Sequence, residues 1–208
     1  MSMLPVVICI AAYLLGSIPT GYIITKLFKG VDIRTAGSGN PGATNVYRTA
    51  GAAAGIATFI LDLLKGFLPV IFAVMLLGNG RVLWWVLAGL CAVAGHVWTV
   101  FLGFKGGKGV ATACGVFFAL LPLGTLFALA LFLAVVFLTR YVSAGSICGA
   151  VFLPVYSWFS GEPRVLCVFA TLVGALIVIR HKDNIERIIN GTENKFGRQP
   201  GGEVKNNG

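Results

Sequence analysis

Residues 52–77 read AAAGIATFILDLLKGFLPVIFAVMLL, an apolar run interrupted by only two charged side chains, Asp62 and Lys65. A transmembrane helix needs about 20 predominantly apolar residues, so this run predicts a helix that crosses a membrane. Charged side chains inside such a helix are costly and are usually paired. Because Asp62 and Lys65 are three residues apart, and thus on one helical face, we expect them to form a structural ion pair.

The rest of the chain is similarly apolar. Of its 208 residues, 57% are hydrophobic and 11% are charged, and the mean hydropathy is +0.90. Soluble domains carry about 25% charged residues, so this composition excludes a soluble domain. Further apolar runs lie near 4–26, 82–101, 109–121, 123–139, 143–159 and 164–180. We therefore predict an all-α integral membrane protein of about seven transmembrane helices, forming one polytopic domain over residues 1–208.

Positive charges are distributed unevenly between the two sides that seven spans define. Only Arg81 and Arg164 lie on one side, and the other side holds Lys26, Lys29, Arg34, Arg48, Lys105, Lys108, Arg140, Arg180, Lys182, Arg187, Lys195, Arg198 and Lys205. Cytoplasmic loops carry the excess of lysine and arginine, so we expect the C-terminus in the cytoplasm and the N-terminus outside. The weakest boundary is the 122–124 break, because merging the fourth and fifth runs would change the parity.

Composition also bears on redox chemistry, partners and processing. Five cysteines, at positions 9, 91, 114, 148 and 167, lie inside apolar runs and form no Cys-x-x-Cys pair. We interpret them as small buried residues and not as a disulfide framework or metal site. In a membrane protein, the net charge of +9 indicates topology and anionic lipid more than nucleic acid. The long first run without a positive leader favours a retained span over a cleaved signal peptide.

Three polar segments lie on the predicted cytoplasmic side, the first at 37–48. Its glycines match G-x-G-x-x-G, but no strand precedes the match, so a dinucleotide fold is not expected. Glycines let backbone N–H groups approach an anion, and Arg48 offers a planar fork suited to phosphate. The segment also holds uncharged donors at Ser38, Asn40, Thr44 and Asn45. It therefore predicts an anion site, with a flexible loop as the alternative.

The second polar segment, 95–112, is rich in glycine and holds Lys105 and Lys108. It is not a P-loop, because Leu102 stands where that motif needs glycine and Gly109 where it needs serine or threonine. Four glycines within seven residues still open onto a predicted helix, which favours an anion site through charge and the helix dipole. The alternative is a topology signal, which would need the lysines but not the glycines.

The third polar segment, 181–195, follows the last apolar run. Its isoleucines predict an amphipathic interfacial helix, on which His181 and Asn184 share one face. Histidine accepts a proton near neutral pH, so this face is a candidate for acid–base chemistry. The alternative is a helix that only lies on anionic lipid. At the cytoplasmic start of the sixth run, in 140–146, Ser143 is placed to point into the same site.

These three segments, in this order and at full length, resemble the signature motifs of bacterial acyl-phosphate:glycerol-3-phosphate acyltransferases, the PlsY family. Pro41 is a mild departure, since members often carry another small or apolar residue there. The resemblance implies transfer of a fatty acyl group from acyl phosphate to the 1-hydroxyl of sn-glycerol 3-phosphate at the bacterial cytoplasmic membrane. Lysophosphatidic acid, a phospholipid precursor, and inorganic phosphate are the implied products.

The resemblance further implies no cofactor, no metal, no nucleic acid and no obligate protein partner. In such enzymes the His-x-x-x-x-Asp motif of other glycerolipid acyltransferases is missing. It is missing here too, because Phe101 and Glu186 stand where aspartate would follow His96 and His181.

Site roles follow from the same resemblance. Ser38, Gly39, Asn40 and Thr44 are implied to bind acyl phosphate. Arg48, Lys105 and Ser143 are implied to bind the phosphate of glycerol 3-phosphate. His181, oriented by Asn184, and Ser38 are implied to be catalytic, with either His181 or the substrate phosphate as proton acceptor. Asn45 and Lys108 are secondary candidates, and the site segments are 34–50, 95–112, 140–146 and 180–197.

Two other classes of function are open on the residues alone. A transporter or channel for a small phosphorylated anion would share the spans and the basic loops. It would need polar groups that continue across the bilayer, and beyond Asp62 and Lys65 the runs offer few. A structural scaffold would give no reason for repeated glycine-rich cationic loops.

Overall fold

The computed structural model describes residues 3–197, and every regular element in that range is a helix. Arg198 and Lys205, counted above among the basic residues, lie outside this range. Two short 3-10 helices cover Ile33–Thr35 and Val100–Leu102. The α-helices are α1 (Leu4–Ser17), α2 (Thr20–Lys29), α3 (Ala43–Ala50), α4 (Ala52–Leu77), α5 (Val82–Val97), α6 (Val110–Leu120), α7 (Pro122–Thr139), α8 (Val142–Phe159), α9 (Arg164–Arg180) and α10 (Lys182–Ile189).

Five of these segments are long and apolar enough to cross a membrane. They are Leu4–Lys29, α4, Val82–Leu102, α7 and α8. A sixth is added if α9 and α10, which are bent by 55° at their junction, count as one span. The predicted fourth span is the 11-residue helix α6, which is short for a bilayer. The all-helical membrane fold is therefore confirmed, whereas the count of seven spans stays a prediction.

The helices pack closely where small residues face a neighbouring backbone. α1 runs along α5, α4 runs along α6, and α7, α8 and α9 pack in sequence. Between α4 and α6, a Cβ at Gly66 would overlap the carbonyl of Thr112, and one at Gly115 would overlap the carbonyl of Leu63. Lipid gives little hydrophobic drive for helix association, so close approach at small residues supplies the van der Waals contact that holds these helices together.

The predicted ion pair in α4 is present. Lys65 Nζ lies 2.8 Å from Asp62 Oδ1, and both side chains are almost completely buried. Lys65 Nζ also donates to the carbonyl of Ile18, at 2.8 Å, where Pro19 interrupts the helix between α1 and α2. The pair therefore satisfies a carbonyl that the break leaves without a helical partner.

Several helix ends meet at one end of the bundle. α7 ends at Thr139 and is followed by Arg140, which adopts a left-handed conformation with φ of 62°; α8 begins at Val142. This tight turn puts Ser143 in the first turn of α8, facing the junction between α9 and α10. The polar segments between the helices are thereby gathered around one cavity.

Candidate functional site

The polar cavity at this end has a volume of about 170 Å³. It draws its lining from all three polar segments and from the start of α8. The polar residues that line it are Ser38, Asn40, Thr44, Asn45, Arg48, Asp62, His96, Lys108, Ser143, Ser146, His181, Asn184, Arg187, Glu193 and Asn194. The structure therefore brings together most of the residues that the sequence analysis selected from distant parts of the chain.

The first polar segment is shaped by the buried side chain of Asn45. Its Nδ2 donates to the carbonyls of Ala36 and Asn40, each at 3.0 Å, and its Oδ1 accepts from the backbone N–H of Ser38 at 3.0 Å. Because these bonds use both ends of the amide, Asn45 supports the loop. Gly39, with φ of 69°, turns the backbone between Ser38 and Asn40, but it is not itself among the lining residues.

Lys108, and not Lys105, is the lysine of the cavity. Lys105 is exposed and is absent from the lining, whereas Lys108 is partly buried and its Nζ donates to Asn184 Oδ1. Between the two lysines, Gly106 and Gly107 are buried. Burial, together with nearby Arg187, lowers the pKa of Lys108 from 10.5 to about 8. The structure therefore places Lys108, a secondary candidate, in the cavity, and Lys105, the candidate named first, outside it.

His181 is buried at the junction between α9 and α10. Its Nδ1 lies 2.8 Å from the carbonyl of Ile177, which selects the tautomer with the proton on Nδ1. In that tautomer Nε2 carries a free lone pair that can accept a hydrogen bond or a proton. Burial and the nearby charge of Lys108 lower the pKa of His181 from 6.5 to about 4, so the ring is neutral at neutral pH. Asn184 was expected to orient this ring, but it is paired with Lys108 and Glu193, and Ile177 performs the orientation.

Glu193 is the central polar residue that the sequence analysis did not select. Its carboxylate accepts from Ser143 Oγ at 2.8 Å, from Asn184 Nδ2 at 2.7 Å and from Arg187 Nε at 2.7 Å. Burial alone would raise the pKa of Glu193, but these three hydrogen bonds outweigh it and leave the pKa below its usual value. A charged Glu193 therefore fixes Ser143 and Asn184 at the cavity wall.

The segment that contains Glu193 is held at the site by contacts with other parts of the chain. Phe196 N donates to the carbonyl of Arg140 at 2.7 Å, and the Phe196 ring packs on Tyr47, with centroids 5.3 Å apart. Arg48 Nη2 donates to the carbonyl of Asn194 at 3.2 Å, and burial lowers the pKa of Arg48. These contacts hold Arg48 against the cavity, which its position on the short helix α3 alone would not do.

An apolar cavity of about 110 Å³ continues from the polar one. The two share Phe59, Val110, Phe132 and Ser146. Beyond these residues the apolar cavity runs between α6, α7, α8 and α9, past Phe117, Leu129 and Leu153. The whole site therefore changes from cationic and hydrogen-bonding at one end to hydrocarbon-like at the other.

This arrangement suits a ligand with an anionic head and a hydrocarbon tail. Arg48, Lys108 and Arg187 offer three cationic groups to the head, and Glu193 neutralises only part of their charge. The neutral imidazole of His181 lies among them. Within residues 3–197, no group of three His, Cys, Asp or Glu side chains converges as a metal site would require, and the five cysteines are free thiols.

Six polar lining residues were not selected from the sequence as site residues: Asp62, His96, Ser146, Arg187, Glu193 and Asn194. Glu193 lies within the third polar segment. It differs from its exposed neighbours by being buried, which only the structure shows. His96 lies at the end of an apolar helix, and the sequence offers no sign that its ring faces the cavity. No local pattern could have identified these residues, because their partners lie in other segments.

Comparison with known proteins points in one direction. The sequence model of the family described as "Glycerol-3-phosphate acyltransferase" matches residues 6–191. The chain is 55% identical to the Glycerol-3-phosphate acyltransferase of Geobacter sulfurreducens over 89% of this chain and 94% of that protein. It is 48% identical to the protein of the same name from Aquifex aeolicus, over 90% of this chain and 96% of that one.

Two solved structures are similar over nearly the whole chain. Both are crystal structures of PlsY (YgiH), an integral membrane glycerol 3-phosphate acyltransferase. Its glycerol 3-phosphate form has a TM-score of 0.88 and 46% identity, covering 93% of this chain and 96% of that one. Its lysophosphatidic acid form has a TM-score of 0.86 and 45% identity, covering 93% and 95%.

Proposed function

This chain belongs to the glycerol-3-phosphate acyltransferase family, and from that premise we propose that it transfers a fatty acyl group from acyl phosphate to the 1-hydroxyl of sn-glycerol 3-phosphate. The hydroxyl oxygen forms an ester with the acyl carbon, the acyl–phosphate bond breaks, and inorganic phosphate leaves with the hydroxyl proton. The main support for this proposal is that a cavity lined by three cationic groups and a neutral histidine continues into an apolar cavity.

Glycerol 3-phosphate binds through its phosphate to Arg48, Lys108 and Ser143. Arg48 and Lys108 are partly buried, so their charges act on phosphate with less screening than surface lysines would. Ser143 donates its hydroxyl proton to Glu193, and it contacts the phosphate when the hydroxyl turns from Glu193 to a phosphate oxygen. Lys105 has no part in this binding, because it is exposed and outside the lining.

Acyl phosphate binds across the junction of the two cavities. Its phosphate lies at the first polar segment, where Ser38, Asn40, Thr44 and the backbone around Gly39 provide uncharged donors. The N-terminal end of α3 faces the same place and favours an anion. Its acyl chain enters the apolar cavity beyond Phe59 and Val110, where burial of its methylene groups favours binding.

Catalysis requires a proton acceptor for the attacking hydroxyl and donors for the oxygen that gains charge. His181 Nε2 accepts the proton, or holds the hydroxyl while the leaving phosphate accepts it. Ser38 stabilises the developing charge on the acyl oxygen. Asn184 acts by holding Lys108 and Glu193 in place. Acyl phosphate is already activated, so the scheme needs neither a metal nor a covalent enzyme intermediate.

The cavity also distinguishes this function from transport of a phosphorylated anion. A transport path would need polar lining that continues toward the other side of the membrane. Here the continuation is apolar, apart from Thr125 and Ser146, and suits hydrocarbon instead. An acyltransferase therefore explains both ends of the site, whereas a transporter explains only one.

The proposal is tested by an assay of the purified protein with palmitoyl phosphate and glycerol 3-phosphate. We expect release of inorganic phosphate and lysophosphatidic acid in equal amounts. Absence of release, or acylation only when acyl-CoA replaces palmitoyl phosphate, would contradict the assigned donor. Uptake of glycerol 3-phosphate by proteoliposomes without acylation would favour the transporter.

Lys108 makes substrate affinity depend on pH. Its pKa is lowered to about 8, so its charge is complete well below pH 8 and is lost as the pH rises through that value. We expect kcat/KM for glycerol 3-phosphate to fall above about pH 8 through a higher KM. In Lys108→Arg the charge persists, because arginine stays protonated, and the fall should move to higher pH.

The matched control for this prediction is the neighbouring lysine. Lys105→Ala should leave the pH profile and the KM unchanged, because Lys105 is exposed and outside the cavity. An unshifted pH profile in Lys108→Arg, or a raised KM in Lys105→Ala, would show that the phosphate contact does not belong to Lys108.

The chain crosses the bacterial cytoplasmic membrane seven times, with the N-terminus outside and the site facing the cytoplasm. The site includes the start of α6 and, through Phe196, the turn after α7, so these two helices leave and return to the same end. This hairpin supports counting α6 as a crossing despite its 11 residues. The charge bias then puts the site on the cytoplasmic side.

The topology is tested with reporter fusions after residues 80 and 208. We expect the reporter after residue 80 on the outer side and the reporter after residue 208 in the cytoplasm, because an odd number of spans separates them. Both reporters on one side would contradict the seven-span topology.

A further inference from the structure

We propose that His96, packed beside the buried Asp62–Lys65 pair, is a positioning residue that sets the glycine-rich loop and thereby places Lys108 in the phosphate site. The inference rests on the proposed function, because its readout is the affinity for a phosphate substrate. This role would explain why a charged cluster lies inside the helix bundle, which ion pairing alone does not explain.

Asp62 is the centre of this cluster. Its Oδ1 accepts from Lys65 Nζ at 2.8 Å and from the Thr20 hydroxyl, and it lies 3.6 Å from His96 Nδ1. The side chains of Asp62, Lys65 and His96 are only 2%, 6% and 6% exposed. Asp62 and Lys65 come from α4, Thr20 begins α2, and His96 lies in the last turn of α5. The cluster therefore joins three helices at one point.

The cluster borders the substrate site as well as the helix interfaces. Asp62 and His96 both line the polar cavity, and both also face a small second cavity behind the glycine-rich loop. A purely structural ion pair would not need to lie between the two cavities. Buried charges are costly to desolvate, so a carboxylate that lies 3.6 Å from the Nδ1 atom of a cavity-lining histidine, an atom without a hydrogen-bond partner among residues 3–197, indicates a function beyond helix association.

His96 contacts the glycine-rich loop through both backbone and ring. Its carbonyl accepts from Gly107 N at 3.1 Å, and the carbonyl of Val97 accepts from Gly106 N at 3.1 Å. The ring lies so close to Gly107 that a Cβ there would overlap Nε2. The histidine ring thus determines where Gly107 can lie, and the next residue is Lys108.

The loop is held from its other side by the last residue of α9. Arg180 Nη2 donates to the carbonyls of Gly106 and Gly107, at 3.4 and 3.3 Å. The loop therefore lies between His96 and Arg180, with little room to shift. Removal of the His96 ring leaves the backbone hydrogen bonds and Arg180 in place but takes away the contact with Gly107, so Lys108 would be held less firmly while remaining chemically intact.

The experiment is a double-mutant cycle of His96→Ala, Gly107→Ala and the double variant. We expect each single variant to raise the KM for glycerol 3-phosphate about tenfold, with kcat within about twofold of wild type. In the double variant the new methyl group occupies space that the ring has left. Its KM should therefore be clearly lower than the product of the two single effects predicts, which is the sign of direct coupling.

Two controls accompany the cycle. Leu83→Ala, on the exposed start of α5, should leave both constants unchanged. Size-exclusion profiles and thermal unfolding in detergent identify folded variants. If His96→Ala is not recovered folded, His96→Gln takes its place, because glutamine keeps a polar group near Asp62 but removes the ring.

Additive effects of the two substitutions, or a loss confined to kcat, would overturn the positioning role. If the wild-type protein releases phosphate from palmitoyl phosphate but the two substitutions have additive effects, this inference alone is contradicted. Wild-type protein that releases none contradicts the proposed function itself, and the two failures are thereby distinguished.

Discussion

Replacing His181 by alanine is expected to lower kcat about 100-fold or more, with little change in the KM for either substrate. General base catalysis by a positioned side chain contributes about 10²- to 10⁴-fold, and His181 is buried, oriented by the Ile177 carbonyl and free at Nε2. The phosphate contacts lie on other residues, so substrate binding should persist. Initial rates at saturating palmitoyl phosphate and glycerol 3-phosphate measure the effect.

The control for His181 is its neighbour in the chain. Lys182→Ala changes an exposed residue at the start of α10 and should keep normal turnover. Near-normal turnover in His181→Ala would mean that the leaving phosphate accepts the proton and that the histidine is not required for this step. A raised KM with unchanged kcat would instead assign His181 to substrate binding.

Replacing Arg48 by alanine is expected to raise the KM for glycerol 3-phosphate about 10- to 100-fold. A hydrogen bond to a charged group contributes about 1.5–3 kcal/mol, and Arg48 provides a charged, partly buried partner for the phosphate. We expect kcat to change much less, because the arginine is assigned to the phosphate and not to the reacting hydroxyl. Saturation kinetics in glycerol 3-phosphate at fixed palmitoyl phosphate measure this difference.

Arg34 is the matched arginine on the same predicted side of the membrane. It is paired with Asp32 at 2.6 Å, is exposed, and does not line the cavity. Arg34→Ala should therefore leave the KM for glycerol 3-phosphate unchanged. If both variants raised the KM equally, the effect would come from the general positive charge of this surface. A kcat loss in Arg48→Ala without a KM change would place Arg48 at the reacting centre instead.

Much of the fold was predictable, because hydropathy and turn residues are properties of contiguous sequence. The apolar runs correspond to the main helices, and the ion pair of Asp62 and Lys65 followed from a spacing of three on one helix. Boundaries were less accurate. Pro19 divides the first predicted span into α1 and α2, whereas the fourth, predicted at 109–121, is found at Val110–Leu120.

The candidate site was predictable as a set of segments but not as a set of contacts. Two lysines three residues apart in one loop are equivalent in sequence, yet only Lys108 reaches the cavity. Asn184 shares a helical face with His181, as expected, but a partner from a different segment uses its amide. Glu193 was missed because its importance arises from Ser143, Asn184 and Arg187, which meet only after folding.

By itself, the sequence determined that this protein lies in a membrane, and it determined the chemistry of the polar segments. Apolar runs of this length are stable only in lipid, and glycine-rich basic loops favour anions whatever their partners. The tertiary structure alone decided which donors converge and which cation is buried. Those outcomes depend on how helices from distant parts of the chain pack, as where the His96 ring lies against Gly107, next to Lys108.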